Sequence, residues 1–88
     1  MYTPITAYQS NTDDAVKVHA AKIDTINHLS RGEGAYVKPE GEEGGFSVGG
    51  ASIKAHWPKA GWYYIVKDGV ESFMEPEEFE KEFTLSNG

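Results

Sequence analysis

The sequence predicts an α+β domain: a small antiparallel sheet of about four to five short strands, one long helix over about residues 12–30 packed on one face, and a short C-terminal helix over about residues 76–83. Three observations predict it. Asp68-Gly69 lies between two apolar runs, 62–67 and 70–74, and is the favoured sequence of a two-residue type I′ hairpin. Ser10-Asn11-Thr12, followed by Asp13 and Asp14, offers N-cap side chains and first-turn acids ahead of a run rich in small and apolar residues. Glu75-Pro76-Glu77-Glu78 puts a proline and acids where a helix begins.

Taken in order, Ile5-Thr6-Ala7-Tyr8 reads as a first strand, β-branched and aromatic after Pro4. In the expected long helix, Ala15, Val16, Val18, Ala20, Ile23, Ile26 and Leu29 fall within an arc of roughly 200° at helical spacing. Gly32 then stands at the C′ position. Ala35-Tyr36-Val37-Lys38 reads as a second strand stopped by Pro39, and 41–45 as an acidic, glycine-rich loop. Phe46-Ser47-Val48 and Ala51-Ser52-Ile53 flank Gly49-Gly50, a pairing typical of a tight hairpin. In the last hairpin the two-residue turn sets Tyr63 and Ile65 on one face with Val70, Ser72 and Met74. Trp62, Tyr64 and Val66 share the other face with Glu71, Phe73 and Glu75. Phe79 and Phe83, four apart, share one face of the final helix.

The 88 residues suffice for a single domain, 1–88, and contain no cysteine, so neither disulfides nor thiolate metal sites can reinforce it. No run approaches the roughly 18 apolar residues of a membrane span, and MYTPITAYQ lacks the basic and apolar regions of a signal peptide. A cytoplasmic protein is expected. The net charge of −6 is unevenly placed: residues 1–67 carry seven acids and seven bases, whereas 68–88 carry seven acids and Lys81 alone. Nothing supplies the cationic footprint that direct nucleic-acid binding requires.

Chemistry-bearing constellations are absent from the sequence. His19 and His28 would point about 180° apart on the expected helix and His56 stands alone, so no metal set forms. The glycine pairs of 41–52 lack the Gly-Lys-Ser/Thr of a phosphate loop. No nucleophile elbow is visible, and clustered glutamates on a short exposed helix are solvated rather than catalytic. The reading is a non-enzymatic protein without cofactor or metal.

What stands out is aromatic surface beside negative charge. Both faces of the last hairpin carry large apolar groups, and one long helix covers only one of them. The uncovered face, Trp62, Tyr64 and Phe73, with Glu77, Glu78 and Glu82 beside it, is the expected partner-binding surface.

The opening Ile5-Thr6-Ala7-Tyr8-Gln9 and the closing 58–66 and Pro76-Glu77-Glu78-Phe79-Glu80-Lys81-Glu82-Phe83 together resemble a loose group of small phage and prophage proteins. In that group an Ile-x-Ala-x-Gln strand, a helix, a Pro-Gly-Asp-like turn, an aromatic hairpin and a Pro-x-x-Phe end follow one another. The resemblance covers about 40 residues at the two ends; Lys59-Ala60 before Gly61, and Trp62 in place of Asp, depart from it. It implies a phage-encoded accessory protein in the host cytoplasm. The leading expectation is therefore a protein that binds and inhibits a host protein, such as one that handles nucleic acid. The alternatives are a virion decoration subunit, whose spare face packs on itself or on a neighbour, and a sponge for a signalling nucleotide. The acidic excess counts against the last, because nucleotide phosphates need cationic or N–H-rich company.

Overall fold

The computed structural model describes residues 2–13 and 15–86. Asp14, one of the two acids assigned to a helix start, lies outside the described residues. The elements are β1 (Ala7–Ser10), β2 (Lys17–His28), a 3₁₀ turn (Ser30–Gly32), β3 (Gly34–Pro39), β4 (Phe46–Gly49), α1 (Gly50–His56), β5 (Tyr63–Lys67), β6 (Val70–Met74), α2 (Pro76–Glu82) and β7 (Phe83–Leu85). Among the described residues seven strands, every pairing antiparallel, thus replace the expected four or five, and the two α-helices are both short.

The expected long helix over 12–30 does not exist; its centre is β2, the longest strand. Val16-Lys17-Val18-His19-Ala20 alternates apolar with polar, and the strand buries Val18 and Ala20 while Lys17 and His19 face out. Val18, Ile23, Thr25 and Ile26 are β-branched and suit a pleated surface better than a helix. Tertiary pairing decides the matter, because β2 is paired along both edges. Ala20 N–H donates to Thr6 O and Lys22 O accepts from Glu40 N, so β1 and β3 follow one another along one edge. On the other edge Ile23 N–H donates to Trp62 O and Ile23 O accepts from Gly61 N, continuing the β5 ladder. A register shift between Ile23 and Thr25 marks the handover from one half of the strand to the other.

A second correction concerns Gly49-Gly50, which opens α1 rather than a hairpin. Gly49 is extended at the N-cap (φ −70°, ψ 159°). A Cβ at Gly50 would stand 2.7 Å from the Gly32 carbonyl oxygen, so only glycine lets the helix start this close to the 3₁₀ turn. Ala51-Ser52-Ile53 is accordingly helical, with Ile53 wholly buried.

The last hairpin follows its sequence signature. Tyr63 faces Met74, Tyr64 faces Phe73 and Val66 faces Glu71, across a turn with Asp68 at φ 52° and Gly69 at φ 80°. α2 runs Pro76–Glu82 with Pro76 in its first turn, close to the expected 76–83.

β3–β4 and β5–β6 leave β2 from opposite edges, yet their side chains meet in one core with Ile53 of α1: Ile23, Val37, Val48, Tyr64, Val66 and Phe73. The five strands β2–β6 therefore curl into a partly open barrel of the OB-fold type. A second core lies outside the barrel wall. There Val18, Ala20, Tyr63 and Ile65 are roofed by Phe79 of α2, flanked by Tyr8, Met74 and Phe83. The chain thus covers both faces of its aromatic hairpin. The expectation of one uncovered face fails because two elements share the covering that a single long helix was given.

The outer layer is stitched down by β1 and β7, with Ser86 N–H donating to Ala7 O. Asn11 closes the end of α2: its backbone N–H donates to Glu82 O (2.8 Å) and its side-chain amide to Lys81 O (2.7 Å). These bonds satisfy carbonyls that a helix end leaves open. No helix among the described residues is long and apolar enough to cross a membrane.

Candidate functional site

The six residues read as a partner surface fall into different environments. Tyr64 is completely buried, and Phe73 nearly so, both inside the barrel; Trp62 is half-buried against the same core. Glu77, Glu78 and Glu82 are exposed on α2 over the other core. The barrel wall separates the aromatic group from the acidic one, so the six do not make one continuous surface.

The acids do meet aromatic residues, but one at a time and through hydroxyl groups. Tyr64 OH donates to Glu71 Oε2 at 2.8 Å, and Ser52 Oγ donates to Glu71 Oε1 at 3.3 Å. Tyr63 OH donates to Glu80 Oε2 at 3.1 Å, and Tyr2 OH donates to Glu42. A buried phenol needs an acceptor, and a carboxylate is a strong one. Burial first, then the adjacent carboxylate, pushes Tyr2 and Tyr63 up to about 12. The same causes raise Tyr64, and burial followed by the Glu80 charge raises Tyr8. All four phenols therefore stay neutral, and Tyr2, Tyr63 and Tyr64 stay donors. Part of the aromatic–acidic coincidence in the sequence is this pairing. Glu71 was legible, since the hairpin register sets it diagonal to Tyr64 on one face; Glu80 and Glu42 are reached only through the fold.

Two surface features remain. The first is an open groove of about 390 Å³ between the N-terminal segment and the 40–42 loop, lined by Tyr2, Ile5, Tyr8, Lys22, Glu40 and Glu42 among others. Tyr2 anchors the segment by stacking on Phe46 (4.3 Å, 4°), while Ile5 at the mouth is 93% exposed. Within it Glu42 is already engaged by the Tyr2 hydroxyl.

The second is a cap at the end of α1, which sequence reasoning did not single out. Trp57 ends the helix in the left-handed region (φ 47°, ψ 58°), its N–H donating to Ile53 O at 2.7 Å. A bulky residue there costs about 1–2 kcal/mol, and the neighbourhood holds it. The indole stacks on His28 (4.4 Å, 14°), whose Nε2–H donates to Pro58 O at 2.8 Å. Because a carbonyl only accepts, Nε2 carries the proton; Nδ1 is buried and without a hydrogen-bond partner. Gly32 (φ 68°) makes room beneath: a Cβ would stand 3.2 Å from Lys54 Cγ and 3.5 Å from the Trp57 ring. Trp57 nevertheless remains 48% exposed, with exposed Lys54 beside it over Gly32 and exposed Arg31 in the same 3₁₀ turn.

His19, His28 and His56 are not brought together, and among the described residues no group of three or more His, Asp or Glu is placed to hold a metal ion.

A small barrel with an outer acidic layer is the frame for comparison with known proteins. No family model matches the chain, and no curated protein does. Among solved structures, the solution NMR structure of the monomeric form of the phage L decoration protein has the same fold. The two agree with a TM-score of 0.64 at 23% identity, over 94% of this chain and 61% of that one. The chain thus spans about three-fifths of the length of its structural neighbour, and the likeness is one of fold.

Proposed function

We propose that this is a phage-encoded, non-enzymatic virion component: a decoration subunit that seats on the surface of an assembled particle. The observation that carries the reading is the fold shared with the phage L decoration protein over 94% of the chain. The phage-like pattern at the two ends of the sequence agrees with a phage origin, although the helix of that pattern is β2 here. On this reading the protein's working location is the particle surface rather than the host cytoplasm. The host-protein inhibitor reading loses its motivation, since it rested on an aromatic hairpin face that the fold buries.

Mass spectrometry of purified particles from the encoding phage tests the reading. The protein should co-purify with the particles in stoichiometric amounts, and the purified protein should bind particles grown without its gene. Absence from purified virions together with failure to bind them would overturn it.

A further inference from the structure

We propose that the Trp57 cap is the surface by which the chain docks, and that its partner there is an acidic protein surface with an apolar notch. This rests on the decoration reading and assigns the contact within it. Four observations converge on the cap. Trp57 is held in a left-handed backbone conformation that a bulky side chain rarely adopts, and strain of this kind clusters at functional positions. One face of its indole is fixed by His28 and Gly32, yet half the ring is exposed, so a partner would meet a pre-oriented aromatic anchor. The stacked pair is itself tied down, since His28 Nε2–H donates to the carbonyl of Pro58, the residue after Trp57. Finally, Arg31, Lys54 and Lys59 are exposed around it, with Glu33 the acid of the same loop cluster. Among the described residues the only ion pair is Lys38–Asp24, elsewhere on the sheet, so these three cations are not consumed internally.

Charge complementarity specifies the occupant. The chain as a whole is at −6, with its excess in residues 68–88, so it is repelled by polyanions at long range, and three cations make too small a footprint for nucleic acid. A local cationic, aromatic patch on an acidic molecule fits a protein partner that presents carboxylates around a hydrophobic recess. A second copy could offer its acidic α2, but that contact is heterologous and closes only where the rotation makes a ring.

The test is co-sedimentation of the purified protein with particles of the encoding phage grown without its gene. Trp57→Gly keeps the left-handed cap without Cβ strain, and Lys54→Glu reverses one charge; far-UV circular dichroism and the thermal midpoint verify folding. Each should weaken particle binding at least about tenfold, as loss of a hot-spot residue does, and wild-type binding should weaken with added salt. Thr84→Ser, exposed on β7 in the outer layer, should bind as wild type does. If wild type binds and the Trp57 and Lys54 variants bind equally well, the docking assignment is overturned while the decoration reading stands. If wild type neither binds nor occurs in virions, both fall. If the free protein self-associates and Trp57→Gly abolishes that, the occupant is a second copy and the acidic particle surface is overturned.

Discussion

Inside the barrel, Tyr64, Val37 and Ile53 are wholly buried by residues drawn from β2 through β6 and α1. Outside it, Phe79 is as deeply buried, but its roof is a seven-residue helix and its floor the back of the same strands. The inner core is closed by pairings on both edges of β2. The outer core is held by three-residue registers between β1 and each of β2 and β7, and by Asn11 at the end of α2. Equal burial therefore hides unequal support. The inner core should carry global stability, and the outer layer should be able to open on its own.

The strongest way to break this comparison is Tyr64→Ala. Truncating a buried aromatic costs about 3–5 kcal/mol, and here it also removes the donor to Glu71 Oε2, leaving that carboxylate the longer bond from Ser52. At roughly 0.05–0.15 kcal/mol per residue a chain this size holds about 4–13 kcal/mol in all, so the loss is a large share of it. The urea midpoint followed by far-UV circular dichroism should fall further than for any other variant, with every amide losing protection.

Phe79→Ala removes a comparable side chain from the outer core and loses stacking on Tyr63 (4.0 Å) and Phe83 (5.0 Å). About 3 kcal/mol should be lost, but locally. In hydrogen exchange, amides of α2 and β7 should lose protection while those of β3 and β4 keep theirs. Uniform loss across both layers would show a single cooperative unit.

Alkaline pH tests both layers through their tyrosines. Tyr63 outside and Tyr2 inside are each pushed up to about 12, whereas an unfolded tyrosine ionises near 10. Above about pH 10 the unfolded chain therefore holds fewer protons than the folded one. Stability from these groups is complete below that pH and is lost as pH rises toward 12. Denaturant midpoints should be level up to about pH 10 and then fall, with tyrosinate absorbance appearing late. Tyr63→Phe should flatten part of that fall.

The mildest probe is Gly69→Ala, in the turn both cores share. At φ 80° a Cβ costs about 1–2 kcal/mol, so the urea midpoint should drop with its slope unchanged.

The same division explains what could be read from the sequence. The β5–β6 hairpin and α2 are specified by neighbours in the chain: Asp68-Gly69, Pro76, and Phe79 with Phe83. Their register and extent follow from those residues. β2 is ambiguous locally, because Ile23, Ile26 and Leu29 fit a helical stripe while Val16 to Ala20 alternate as a strand. Pairing with strands beginning at Gly34 and Tyr63 decides between them, and no local window contains that information. α1, at seven residues, is too short to display a period. The aromatic residues of the last hairpin were legible as apolar but not as inside, since both coverings come from distant segments. Trp57 is legible as one large aromatic among several, but not as the end of a helix, because α1 itself is not read from its neighbours.

The loop 41–45 between β3 and β4 takes part in no ladder, and a Cβ at Gly44 would meet nothing within 4 Å. A peptide spliced in at Gly44 should therefore be displayed with every strand pairing intact and without disturbing the Trp57 cap.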